Sequence, residues 1–473
     1  MNRSARRRKT ISRIRYCVAS VGTFLRILVA LLCMRGVAHA EELGRSADVS
    51  HTPALRLADA DHAVVAWLDE QLDAIRERYV WFHTHPEVSF KEAVTSARIA
   101  GHWRDAGLRV TEGVGGHGVV GILENGAGPR LMLRCDTDAL PVTEQTPLPF
   151  ASKAVTELPG GGTTGVMHAC GHDVHMTNLV SVVDFLSRHK QLWQGTLMVI
   201  AQPAEERGAG AKAMLEDGLF DRYPKPDAAI ALHVSHDTPV GKLKLMPGYA
   251  MANVDSVDIT VQGRGGHGSA PHTTSDPIVQ AASLVMALQT IVSREVNPQA
   301  PAVITVGSIH GGTKHNIIGN DCHLQITVRS YDEGVRQQLL TAIRDKALAN
   351  ARLFNAPEPV IKNSEGTPSL RNDDDLAAQV RKAFVAILGE DALIDDKPSM
   401  GGEDFSRYGL AGVPILMYRL GTVRQARLDR YAEMGIPAPS LHSAVYYPDF
   451  DESIRTGVRS MVAASLSVLA ARN

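Results

Sequence analysis

Leu131-Met132-Leu133-Arg134-Cys135-Asp136-Thr137-Asp138 is the stretch whose reading decides the fold. A short unbroken apolar run predicts a strand buried on both faces, as in sheets covered by helices on each side. The chain then passes directly into a carboxylate pair, and in open α/β sheets ligands bind beyond the carboxyl ends of the strands. Asp136 and Asp138, two residues apart, share a face if the extended geometry persists.

Outward from this strand, short apolar runs alternate with helical periodicity. Residues 54–80 carry Val64, Leu68, Leu72, Ile75 and Tyr79 at helical spacing. Downstream come a helix over 177–186 and strands over 197–201 and 228–232. This alternation predicts a mixed, mostly parallel sheet flanked by helices. Near Ser256 the pattern changes: Val257, Ile259 and Val261 alternate with polar residues, as in a half-exposed strand. A helix over 277–293, strands over 303–309 and 323–328, a helix over 334–353 and a strand over 359–362 complete a β-α-β-β-α-β order, the split pattern of ferredoxin-like domains. The α/β pattern resumes after Leu370 and ends in a helix over 454–471. The expected organisation is an α/β catalytic domain in two parts, 41–250 and 368–473, interrupted by an inserted α+β lid and dimerisation domain over 251–367.

The 473-residue chain has a formal charge of −2, but its first 40 residues hold nine of the 49 Lys and Arg and no Asp or Glu. The remainder carries 40 basic against 51 acidic residues. Such a body lacks the cationic face that nucleic acid or an anionic membrane requires. The Arg-rich start, the apolar segment 18–34 and Ala38-His39-Ala40 read as a signal peptide over 1–40, with export to the periplasm and no stable membrane association once it is removed. Arg26 and Arg35 interrupt the apolar run; the competing reading is a retained anchor helix. Beyond the signal, Cys135, Cys170 and Cys322 are too few for a disulfide framework, and one must stay unpaired within the chain.

The chemistry-bearing residues gather at the ends of the expected body strands. His168-Ala169-Cys170-Gly171-His172-Asp173-Val174-His175 places a thiol and an imidazole two residues apart, a spacing that lets both reach one metal ion or a pair. Pro203-Ala204-Glu205-Glu206 ends a strand; in extended chain its carboxylates point apart, one toward a metal and the other toward a water. His233 and His442, each more often a core residue when taken alone, supply further nitrogen ligands beside these clusters.

Together these motifs resemble the bimetallic amidohydrolase/carboxypeptidase family of metallopeptidases, which includes hippurate hydrolase, N-acyl-amino-acid amidohydrolases and auxin-conjugate hydrolases. The similarity runs from Phe82-His83-Thr84-His85-Pro86-Glu87 through Gly263-Arg264-Gly265-Gly266-His267 and Gly402-Glu403-Asp404-Phe405-Ser406 to Leu441-His442. It implies a phosphorylase/hydrolase-like catalytic domain binding two divalent ions (Mn, Zn, Ni or Co). Cys170, His172, Glu206, His233 and His442 would be the ligands, and Glu205 the general base and later acid. By the same resemblance, His267 would stabilise the oxyanion from the lid across a homodimer interface, and Asn316 and Arg329 would hold a substrate carboxylate. Asp136, Asp138 and Asp404 would support the site. The implied substrates are N-acyl amino acids or short peptides; the other readings are a carboxypeptidase or dipeptidase with the same site, or a non-catalytic periplasmic binding protein.

Overall fold

The run 131–133 lies within β3 (Arg130–Asp136), near the middle of an eight-stranded sheet in the computed structural model, which describes residues 53–469. The expected signal peptide over 1–40 lies outside the described residues. Leu131 and Leu133 enter the core on one face of the sheet and Met132 the core on the other, so alternation places apolar side chains on both sides and no polar residue interrupts the run.

The sheet contains β1 (Arg109–Val114), β2 (Gly118–Asn125), β3, β4 (Gly195–Gln202), β5 (Ala228–Pro239), β6 (Leu243–Lys244), β11 (Leu393–Ile394) and β12 (Ile415–Val423). Its spatial order is β1-β2-β4-β3-β5-β12-β6-β11. The central strands β4, β3, β5 and β12 are parallel, while β1 and β2 add an antiparallel edge. The larger core lies beneath α1 (Pro53–Thr84), α3 (His172–Arg188), α6 (Asp374–Leu388) and α7 (Phe450–Leu469). There α3 packs against α1, α7 and β3. Burying each large side chain in such a core contributes about 1.5–3 kcal/mol. Helix α2 (Ala93–Asp105) packs on β1 and β2.

Residues 253–365 form a second, wholly antiparallel sheet from β7 (Asn253–Gln262), β8 (Ala302–Gly311), β9 (Asp321–Ser330) and β10 (Val360–Glu365). Its order is β8-β9-β7-β10. Helices α4 (Pro277–Thr290) and α5 (Glu333–Leu353) pack on it around their own core. Strand β7 alternates buried with less buried residues, which is why its sequence reads differently from the body strands.

Two boundaries differ from the sequence reading in ways that shape the site. Helix α3 begins at His172 rather than Thr177, because its polar first turn is buried through hydrogen bonds among its own side chains and neighbours. Glu205 and Glu206 are not extended. Ala204 takes a left-handed φ of 51°, and a 3-10 turn Glu205–Arg207 follows.

Candidate active site

β3 ends at Asp136 and leads to Asp138, whose carboxylate accepts the Glu205 and Glu206 amides at 3.1 and 3.0 Å and the Ser89 hydroxyl at 2.6 Å. Asp138 therefore shapes the turn that carries the two glutamates. Its backbone carbonyl accepts from His172 Nδ1 at 2.7 Å. That bond places a proton on Nδ1, so Nε2 is the nitrogen through which His172 could bind a metal. Nε2 is buried without a hydrogen-bond partner, 3.9 Å from Glu206 Oε1 and 4.0 Å from Glu205 Oε2.

The remaining donors arrive from separate elements. His233 comes from within β5 rather than after it; its Nδ1 donates to the Val234 carbonyl, and its Nε2 is 3.6 Å from Cys170 Sγ. His442 comes from the loop before α7, held by its amide to the Ala169 carbonyl, with Nε2 3.5 Å from Glu206 Oε1. Two triads result, Cys170 with His172 and His233, and Cys170 with Glu206 and His442; within each, the donor atoms all lie within 4.8 Å of one another. Cys170 is common to both.

His172 Nε2 and Glu206 Oε1, both buried without hydrogen-bond partners, face this shared space. Buried polar atoms of that kind normally find a partner, and mixed sulfur, nitrogen and oxygen donors suit divalent transition metals. The residues fit a pair of ions. Three further close groups occur among the described residues: His172 with Glu205 and Glu206, Glu205 with Glu403 and Asp404, and Asp136 with His172 and His175; in the last, His175 has no nitrogen to spare, since Nδ1 bonds Asp136 at 2.6 Å and Nε2 accepts the Val234 amide at 2.9 Å.

Beneath the donors lies a buried charge network that the sequence reading missed. Arg134 donates to Asp136, Glu403, Asp404 and Gln202 at 2.6–3.2 Å. Burial raises Glu403 to about 7 and Asp404 to about 6 against the pull of Arg134. Asp404 is fully buried, accepting from Gln202 and the Ala211 amide. Glu205 is held well above the usual carboxylate range, by burial first and then by Glu403 and Glu206. Glu92, also missed, accepts the Ala204 amide at 2.8 Å; burial raises it to about 7. A second unread cluster joins His83 to Asp173 at 2.7 Å and to Glu144 at 3.1 Å. Only the pairing of distant segments could have exposed these contacts.

His267, Asn316 and Arg329 lie in the 253–365 layer. His267 and Asn316 are exposed; the His267 ring bonds Ser269, and the Asn316 carbonyl accepts the Gly268 amide. Arg329 is half-buried in β9 and donates to Thr327 and the Met400 carbonyl. None of the three belongs to the donor groups formed among the described residues.

An α/β sheet with this donor set at its carboxyl ends and a buried carboxylate alongside defines a metal-dependent hydrolase. The chain belongs to peptidase family M20/M25/M40, whose profile matches residues 132–434. N-acetyl-L-cysteine deacetylase of Bacillus subtilis is 38% identical over 345 residues, covering 72% of this chain and 78% of the relative. Hippurate hydrolase of Campylobacter jejuni is 37% identical over 345 residues, covering 72% and 85%. The crystal structure of a dinuclear metal-binding peptidase from Bacillus subtilis matches with a TM-score of 0.68 and 27% identity, covering 84% of this chain and 98% of that one.

Proposed function

We propose that the protein hydrolyses the amide bond of N-acyl amino acids, with Glu205 as the proton-transfer group. The observation that carries this reading is the pair of donor triads sharing Cys170, with Glu205 Oε2 4.0 Å from His172 Nε2. Cys170, His172, Glu206, His233 and His442 would hold two divalent ions, which when bound polarise the scissile carbonyl and lower the pKa of water. The donor set does not select among Mn, Zn, Ni and Co.

Glu205 takes a proton from the attacking water and returns it to the departing amine. Its carboxylate is buried beside the proposed ligands His172 and Glu206, where a proton-transfer group must stand. Asp138 fixes the turn bearing both glutamates, and Asp136 supports the site through His175. The 251–367 segment acts as an inserted lid and dimerisation domain. From it His267 stabilises the oxyanion across a homodimer interface, and Asn316 and Arg329 hold the substrate carboxylate. The exposure of His267 and Asn316 supports a role completed by closure or by a second copy. Residues 1–40 direct export to the periplasm and are removed there.

Chelation and metal add-back with a panel of hippurate-type amides and dipeptides test the reading. The expected result is loss and metal-dependent recovery of N-acyl amino acid hydrolysis. Wild-type protein that stays inactive on every amide after reconstitution would overturn it.

A further inference from the structure

Beside His233 lies a cavity of about 180 Å³, lined among others by His236, Met251, Ser399, Arg419 and Leu441. At about 30 Å³ per water it has room for about six waters. Arg419 belongs to β12, in register with His233 on β5 and with Lys244 on β6. A guanidinium therefore stands one strand from a proposed metal ligand, beside an ammonium.

Opposed cations on neighbouring strands are unfavourable unless negative charge separates them. Asp237 is taken up by Lys244 at 3.0 Å, Ser235 at 2.7 Å and Thr238 at 3.1 Å. Asp396 forms an ion pair with Arg419 Nε at 3.7 Å, longer than a hydrogen bond, so it offsets the charge without taking up the N–H donors. Arg419 donates only to Ser399 Oγ, at 3.3 Å, among the described residues, although its side chain is just 22% exposed. Most of its five N–H donors are left for something else.

We propose that this pocket is a carboxylate subsite of the active centre, with Arg419 as the residue that recognises the anion. It rests on the amide-hydrolase reading and adds a preference: a substrate carboxylate seated beside His233. That carboxylate can be the α-carboxylate of the amino-acid half or a second one on the acyl half.

Two matched substrate pairs separate these sources on the metal-loaded protein: an N-acetyl amino acid against its amide, and an N-glutaryl amino acid against its N-pentanoyl counterpart. In Arg419→Met the charged-to-neutral ratio of kcat/KM falls about 10- to 100-fold in one pair, the loss expected for charge-assisted hydrogen bonds; Arg419→Lys recovers part of it. The pair affected identifies the carboxylate. Unchanged ratios in both pairs overturn the proposal. Calorimetry with glutarate against butyrate tests the subsite without turnover: wild type gains affinity from the second carboxylate and Arg419→Met loses that gain. Equal gains in both proteins overturn it. If wild type binds glutarate in this way but hydrolyses no amide, the hydrolase reading fails and the subsite stands.

Discussion

His175 shows how a residue can govern a metal site without touching metal. Its Nδ1 bonds Asp136, which Arg134 also holds, and its Nε2 accepts the amide of Val234, next to His233. The imidazole thus pins the stretch of β5 that presents a proposed ligand. Outer contacts of this kind are worth about 10- to 100-fold in metal affinity. His175→Phe, which keeps the bulk and removes both bonds, should weaken binding by that factor in competition with a chelating dye; unaltered affinity would show that the clamp is idle. His83 makes a separate pH-dependent contribution. Burial lowers its pKa, but hydrogen bonds to Asp173 and Glu144 outweigh that and raise it from 6.5 to about 9. The imidazolium therefore stabilises the fold fully below pH 6.5, and this contribution is lost as pH rises through about 9, by about 3 kcal/mol shared with its carboxylates. Urea midpoints from pH 6 to 10 should fall more steeply for wild type than for His83→Asn, and parallel curves would refute this.

At the scale of elements, the turn after β4 is the most constrained part of the site. A Cβ at Gly210 would stand 1.6 Å from the Pro203 carbonyl oxygen, and Ala204 is already left-handed. Gly210→Ala must displace the segment carrying Glu205 and Glu206. It should cost about 3 kcal/mol in denaturant unfolding and depress hydrolysis; a variant of wild-type stability and rate would mean that the turn has slack. The body strands were legible because two-sided burial leaves uninterrupted apolar runs, and the 253–365 strands because one-sided burial leaves alternation. The start of α3 was not, because His172, Asp173 and His175 read as loop until their buried partners are known. The extended reading of Glu205 and Glu206 failed for a similar reason: the turn is imposed by Asp138 and Glu92, distant in sequence.

Across the whole molecule, the proposed ligands are scattered from position 170 to 442, so the fold itself assembles the site. Their chemical types were legible in the motifs, whereas the buried base beneath them was not. Arg134 and Glu403 meet across 269 residues, and no local pattern announces that contact. The network sets the electrostatic ground for Glu205, and the central claim is that Glu205 moves the proton while other side chains hold the ions. The most direct measurement is the steady-state rate of hippurate hydrolysis by Glu205→Gln, determined with the metal content of the same sample. The expected result is two ions per chain, as in wild type, and a rate lower by about 10²- to 10⁴-fold. A Gln variant that turns over at the wild-type rate with both ions bound would contradict it.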